Sequence, residues 1–173
     1  MVEPVHTFDV REETFYLFAP DTPTDFFDHY APFVRLWQAK RAGRRLPAWK
    51  DFSFEDLVPW IKKLVLADLT AEDVVDGVYR YFGGDWVRIS NMELTGKRYS
   101  EVIPEAMRAD MEPYHKALHP ECLIGRRMTT PYVDGRTFMR VDMVEFVLSD
   151  NVETASQYLA LGTIAHDEAP RPY

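Results

Sequence analysis

The spacing of hydrophobic positions changes along this chain, and the changes mark out its elements. Phe26, Tyr30, Phe33 and Trp37 recur at intervals of four, three and four, which places them on one face of a helix. Asp25 and Asp28 lie near its start, and Lys40 and Arg41 near its end before Gly43, as the helix dipole favours. Pro32 falls inside the pattern and is expected to kink or split the helix, because proline removes a backbone donor. In the stretch from Asp51 to Lys63, Ser53 with Asp56 three residues on forms a capping box and predicts a short helix. Two strands follow: Leu64 to Leu69, broken only by Asp68, and Val78 to Phe82, rich in aromatic and β-branched residues. The segment between them reads as their turn, with Asp76-Gly77 tolerating positive φ.

The middle third predicts short helices punctuated by Gly83-Gly84, Thr95-Gly96 and Pro104. A longer amphipathic helix then runs from about Glu105 or Arg108 to Leu118, with Met107, Met111, Tyr114 and Leu118 on one face. Pro113 should kink or restart it, and His119-Pro120 should close it. The last third returns to a period of two. Met128 to Val133 and Thr137 to Leu148 flank Asp134-Gly135, a hairpin signal, and Pro131 marks the first of these as an edge or bulged strand. A turn at residues 149–151 leads to a final strand from Gln157 to Ala165. Met139, Val141 and Met143 alternate with Phe138, Val144 and Phe146, so this strand is predicted to be buried on both faces, although Arg140 and Asp142 break the second set. The middle helices cover one face. The aromatic helix at residues 26–41, from the same subunit or a partner, is the candidate cover for the other. Together these elements predict an α+β domain with one five-stranded antiparallel sheet.

Length and composition agree with one globular domain. A chain of 173 residues, 46% of them hydrophobic, buries roughly 70% of its unfolded surface without metal or disulfide staples. Twenty basic against twenty-eight acidic residues give a net charge of −8, which argues against a surface devoted to nucleic acid. The charge is uneven. The first thirty residues hold seven acids and one base, Arg11, together with Phe8, Phe15, Tyr16, Leu17 and Phe18, so they read as an arm that packs on its own domain or on a second subunit. Arg35 to Lys50 holds six bases and no acid and reads as a solvated helix end and loop; only Trp37 and Trp49 supply the aromatic residues a nucleic-acid surface would use. An acidic arm meeting this basic helix end is the expectation. A single cysteine, Cys122, no secretory pattern in the opening residues and no run of about 18 apolar residues predict a cytoplasmic protein without a membrane partner.

Several segments in order carry a resemblance: Trp37 and Gly43, Leu46-Pro47, Asp51 to Ile61, Leu64 to Leu69, Tyr79-Arg80-Tyr81-Phe82-Gly83, and Glu93-Leu94-Thr95-Gly96-Lys97. With the order of two strands, several helices and three strands, the chain resembles stand-alone PAS-like bacterial proteins, over roughly residues 30 to 165. The resemblance implies a PAS-like five-stranded sheet with helices on one face and an N-terminal helical cap. It divides the chain into an arm and helix at 1–42 (a cap or dimer element), a PAS-like domain at 43–166 and a tail at 167–173. It also implies a sensory or regulatory module that binds a small ligand or a protein partner, forms a homodimer, and has no chemistry and no output domain of its own.

The expected ligand pocket lies between the sheet and the helices. Trp86, Ile89 and Tyr99 come from the short helices, Met111, Tyr114, His115 and Leu118 from the long one, and Met128 and Met143 from the strands. Methionines adapt to irregular cavities, and aromatic walls with a few polar tips suit a small organic molecule. No cofactor is expected. His115 and His119, four apart, share a helix face, and haem-binding PAS proteins are similar in placing a histidine on the corresponding helix, so haem through His115 is the cofactor to test. The flavin-binding branch carries an Asn-Cys-Arg-Phe segment before this helix, which this sequence lacks. Cys122 reads as a buried small hydrophobe. Asp142 and Glu145, three apart on a strand, should point to opposite faces, with Arg140 pairing Asp142. The alternative function is a small α+β isomerase or hydrolase using Asp142 or His115 in the same cavity.

Overall fold

A computed structural model describes residues 2–70, 73–130, 139–150 and 154–165. Its centre is one antiparallel sheet of seven strands: β1 (His6–Val10), β2 (Glu13–Phe18), β3 (Leu64–Thr70), β4 (Asp73–Phe82), β5 (Ile124–Thr129), β6 (Arg140–Leu148) and β7 (Gln157–Ala165). The spatial order is β1-β2-β5-β6-β7-β3-β4. The sequence predicted five strands, and β3, β4, β6 and β7 lie where expected, but β5 starts at Ile124, four residues before the expected start at Met128. The other two are the acidic arm, which folds into a hairpin and pairs β2 with β5. Its two-residue turn, Arg11-Glu12, has φ of 49° and 67°. Such turns ordinarily use Asn or Gly, because side chains with a Cβ resist positive φ, and this chain has neither there. The hairpin also pairs with the long helix at two points, His6 with Glu121 at its C-terminal end (2.9 Å) and Arg11 with Asp110 in its N-terminal half (2.5 Å).

One face of the sheet is covered by α1 (Ala31–Arg41) and the 3₁₀ turn Thr24–Tyr30 before it. The 26–41 pattern is split as Pro32 led us to expect, with α1 beginning one residue before it. The proline stands in the first turn, where its missing N–H has no helical acceptor to lose. The chain kinks earlier, at Phe27 and Asp28, so that Phe27 is buried with Tyr30, Phe33 and Trp37, while Phe26 is only half-buried. The rings of Phe33 and Trp37 pack 5.4 and 5.5 Å from that of Phe146 on β6. The Tyr30 hydroxyl donates to the Asp142 carbonyl (2.7 Å) and the Trp37 indole N–H to that of Val147 (3.3 Å). The stripe that suggested a dimer is therefore spent inside the chain. Two bases of the segment meet acids of the arm as expected, Arg41 with Asp21 at 2.5 Å and Arg35 with Asp25 at 3.8 Å, whereas Arg44 and Lys40 pair with Asp51 (2.5 Å) and Asp56 (2.6 Å) outside it.

The opposite face carries α3 (Gly84–Ser90), α4 (Tyr99–Val102) and α5 (Glu105–Glu121); α2 (Phe54–Leu57) is the short helix capped by Ser53, whose hydroxyl accepts from the Asp56 N–H. Asp76-Gly77 is not a turn. It lies within β4 beside register shifts, and a Cβ on Gly77 would stand 2.7 Å from the Asp68 carbonyl oxygen, so glycine admits the close backbone approach. Pro113 leaves α5 continuous. The helix ends at Cys122, a non-glycine residue at φ 58°. The expected hairpin at Asp134-Gly135 and the edge proline Pro131 lie outside the described residues.

Residues 1–42 thus supply two strands and the cover of one sheet face. We expect a chain lacking them to lose cooperative urea unfolding and near-ultraviolet circular dichroism, because Phe146 and its neighbours become exposed. A truncated chain that unfolds cooperatively would show that the arm is an appendage.

Candidate functional site

Between the sheet and the α3–α5 layer lies a pocket of about 210 Å³. A void that holds a single water needs roughly 10–15 Å³, so this space admits an organic molecule. Apolar and aromatic side chains make most of its wall: Val65, Tyr79 and Phe82 from the first two core strands, Trp86 and Ile89 from α3, Tyr99 from α4, Met111 from α5, and Met143 and Ala160 from β6 and β7. Trp86 lies flat across the sheet because residue 162 is glycine; a Cβ there would collide with the indole ring. The indole N–H is anchored on the Lys63 carbonyl at 2.7 Å. Tyr99 is placed by its chain neighbour. Asp76 accepts from the Ser100 N–H at 3.1 Å and from the Ser100 hydroxyl and Arg98 at 3.2 Å, tying the start of α4 to β4. Burial works against the Asp76 charge, but these donors and the Gly77 N–H outweigh it and hold its pKa below the usual carboxylate range.

One end of the pocket is built on a buried ion pair. Glu145 on β6 has no exposed surface, and Arg127 on β5 faces it, its Nε donating to Oε1 at 3.1 Å and its Nη2 lying 2.9 Å from the same oxygen. The hydroxyls of Tyr114 and Tyr158 also donate to this carboxylate, one to each oxygen. Burial disfavours the guanidinium charge, yet the facing carboxylate more than offsets this and raises the Arg127 pKa. Burial first, and then the same carboxylate, pushes the Tyr114 and Tyr158 hydroxyls well above the usual phenol value, so both remain donors. Phe15 of the N-terminal hairpin closes the far side, its ring centroid 5.0 Å from the Arg127 guanidinium and 5.4 Å from the Tyr114 ring. Three donors on the wall lack an oxygen acceptor. The Tyr99 hydroxyl and the Arg108 Nε are buried with none among the described residues, and Arg127 Nη1 reaches only the Met111 thioether, at 3.9 Å.

Of the residues expected to line a pocket, Trp86, Ile89, Tyr99, Met111, His115 and Met143 stand on this wall. Tyr114 and Leu118 lie deeper and are fully buried. Met128 sits on the opposite sheet face: β5 alternates, and Gly125, Arg127 and Thr129 take the pocket side. Arg127, Arg108 and Tyr158 were missed. The adjacent Arg126-Arg127 pair straddles the two faces, and nothing in the residues themselves says which arginine turns inward. A mid-strand glycine, Gly162, was the available signal for a ring packed close on the sheet.

Asp142 and Glu145 point to opposite faces, as their spacing predicts. The partner of Asp142 is Arg126, at 2.9 Å, not Arg140, because neighbouring strands bring Arg126 across the sheet while Arg140 is exposed at the strand end. Asp142 is thereby kept out of the pocket. The Cys122 thiol is buried in the core, which raises its pKa, and it lies within weak hydrogen-bond reach of the His119 and Pro120 carbonyls. Among the described residues no three His, Cys, Asp or Glu side chains are grouped to share a metal ion. A haem would need His115 as axial ligand and cations for two propionates; Arg127 is already paired and only Arg108 is left on the wall, so the residues present do not fit it.

His115 Nδ1 and His119 Nε2 are 3.2 Å apart, one donating to the other. Burial lowers both pKa values from 6.5 to about 3, and the nearby Arg127 charge acts in the same direction on His115. The folded protein therefore holds both neutral while the unfolded chain takes up protons below about pH 6.5, so stability falls as the pH drops from there toward 3. We expect the urea midpoint to fall between pH 7 and pH 4, with the two histidines contributing up to about 1.4 kcal/mol each per pH unit. The double substitution His115→Gln/His119→Gln should flatten the decline; an unchanged slope would contradict the assignment.

No family model matches the chain, and no curated protein matches it. Among solved structures it is similar to an RNA-binding light-oxygen-voltage receptor, at 12% identity and a TM-score of 0.44, over 69% of this chain and 36% of that one. The chain spans about a third of that receptor's length.

Proposed function

We propose that this chain is a PAS-like sensory module that binds a small organic molecule between its sheet and helices and passes the bound state to a protein partner. The observation that carries the reading is the apolar pocket of about 210 Å³ under α3–α5. The order of two strands, helices and three strands after residue 63 agrees with the sequence resemblance to PAS proteins. The enzymatic alternative loses ground because Asp142 and His115 are on opposite sides of the sheet. The four ion pairs of the Arg35–Lys50 segment likewise weaken a polyanion-binding reading.

Native mass spectrometry of the purified protein, followed by thermal denaturation against a metabolite library, tests this directly. We expect a retained small molecule or at least one stabilising compound. Ala160→Leu, which fills the pocket from β7, should weaken that binding tenfold or more. No retained mass, no stabilising compound and no effect of the substitution would refute the proposal.

A further inference from the structure

The charges and unused donors of the pocket say what kind of molecule it takes. We infer that the ligand is an organic monoanion, a carboxylate on an apolar body, with the carboxylate seated against Arg108 and the Tyr99 hydroxyl beside Arg127. This rests on the ligand-binding reading above. Among the described residues the charged side chains on the wall are Arg108 and Arg127, and no acid lines it. Arg127 is compensated from behind by Glu145. Arg108 has no ion-pair partner among the described residues, so the pocket carries one uncompensated positive charge. Arg108, Met111 and His115 follow at spacings of three and four on one face of α5, and the Met111 sulfur touches Arg127 Nη1. Arg108 is thus one helical turn from Met111, whose sulfur touches Arg127.

The unused hydrogen-bonding capacity points the same way. Among the described residues Arg108 Nε and the Tyr99 hydroxyl have no acceptor and Arg127 Nη1 meets only the Met111 sulfur, and Tyr99 is only 8% exposed. A guanidinium has no acceptor atom at all, so its complement is a group that only accepts, and a carboxylate does so with two oxygens. A neutral carbonyl can accept two hydrogen bonds at its one oxygen but would leave the charge uncompensated. A dianion such as a phosphomonoester would bring one charge more than the wall offsets, and an organic cation would be repelled. The remaining wall, aromatic and aliphatic, suits a hydrocarbon or ring body.

The test is calorimetric titration of the full chain at pH 7.5 with phenylacetate, 4-phenylbutyrate and octanoate, each compared with its primary amide. At least one acid should bind tenfold or more tightly than its amide. Arg108→Met should remove that preference by weakening the acid tenfold or more with the amide unchanged, and Tyr99→Phe should weaken the acid several-fold. Circular dichroism checks that both variants fold. Amides that bind as tightly as acids, or an Arg108→Met protein that still prefers the acid, would overturn the carboxylate assignment while leaving the pocket reading intact. Absence of binding by every acid and amide would overturn the assignment, and the pocket reading falls with it only if the metabolite library also yields no ligand.

Discussion

The rest of this structure is arranged around one buried ion pair. Glu145 and Arg127 sit in the middle of the sheet, and neither could be buried alone without a large loss of solvation. Each neighbouring element contributes something to that pair. The long helix brings the Tyr114 hydroxyl, β7 brings that of Tyr158, and the N-terminal hairpin lays Phe15 against the guanidinium. The cluster also sets the chemistry of the pocket. By neutralising Arg127, Glu145 leaves Arg108 as the cation on the wall without an acid partner among the described residues.

The second face of the sheet obeys a different constraint. There the packing is aromatic, with Phe33 and Trp37 on Phe146, and a second buried pair, Arg126 with Asp142, satisfies the polar residues that interrupt the strand pattern. Two adjacent arginines on β5 thus serve two opposed acids on β6, one pair on each face. The consequence for function is a separation of roles: the α1 side closes the fold, and the α3–α5 side holds the space.

The element order, the burial of β6 on both faces and the long helix could be read from hydrophobic period alone. The hairpin could not, because its turn is Arg11-Glu12, without the glycine or asparagine that marks such turns. Pro32 does mark where the 26–41 pattern splits, whereas Pro113 misled. The first sits where a helix begins, and the second is tolerated within α5, which packs on the sheet from β4 to β1 of the hairpin. Much of the pocket wall was legible as Met and aromatic positions on helix faces. Its polar end was not, since which of two neighbouring arginines turns inward depends on strand register across β5 and β6, a property of the pairing and not of either residue.

The account depends most on the Arg127–Glu145 pair, and a double-mutant cycle in urea unfolding tests it most directly. Glu145→Gln leaves a buried guanidinium uncompensated and should cost about 3–5 kcal/mol. Adding Arg127→Met to it removes the stranded charge, so the double variant should be more stable than Glu145→Gln alone. Single losses within about 0.5 kcal/mol, the ordinary range for surface substitutions, or a double variant in which the two losses simply add, would contradict it.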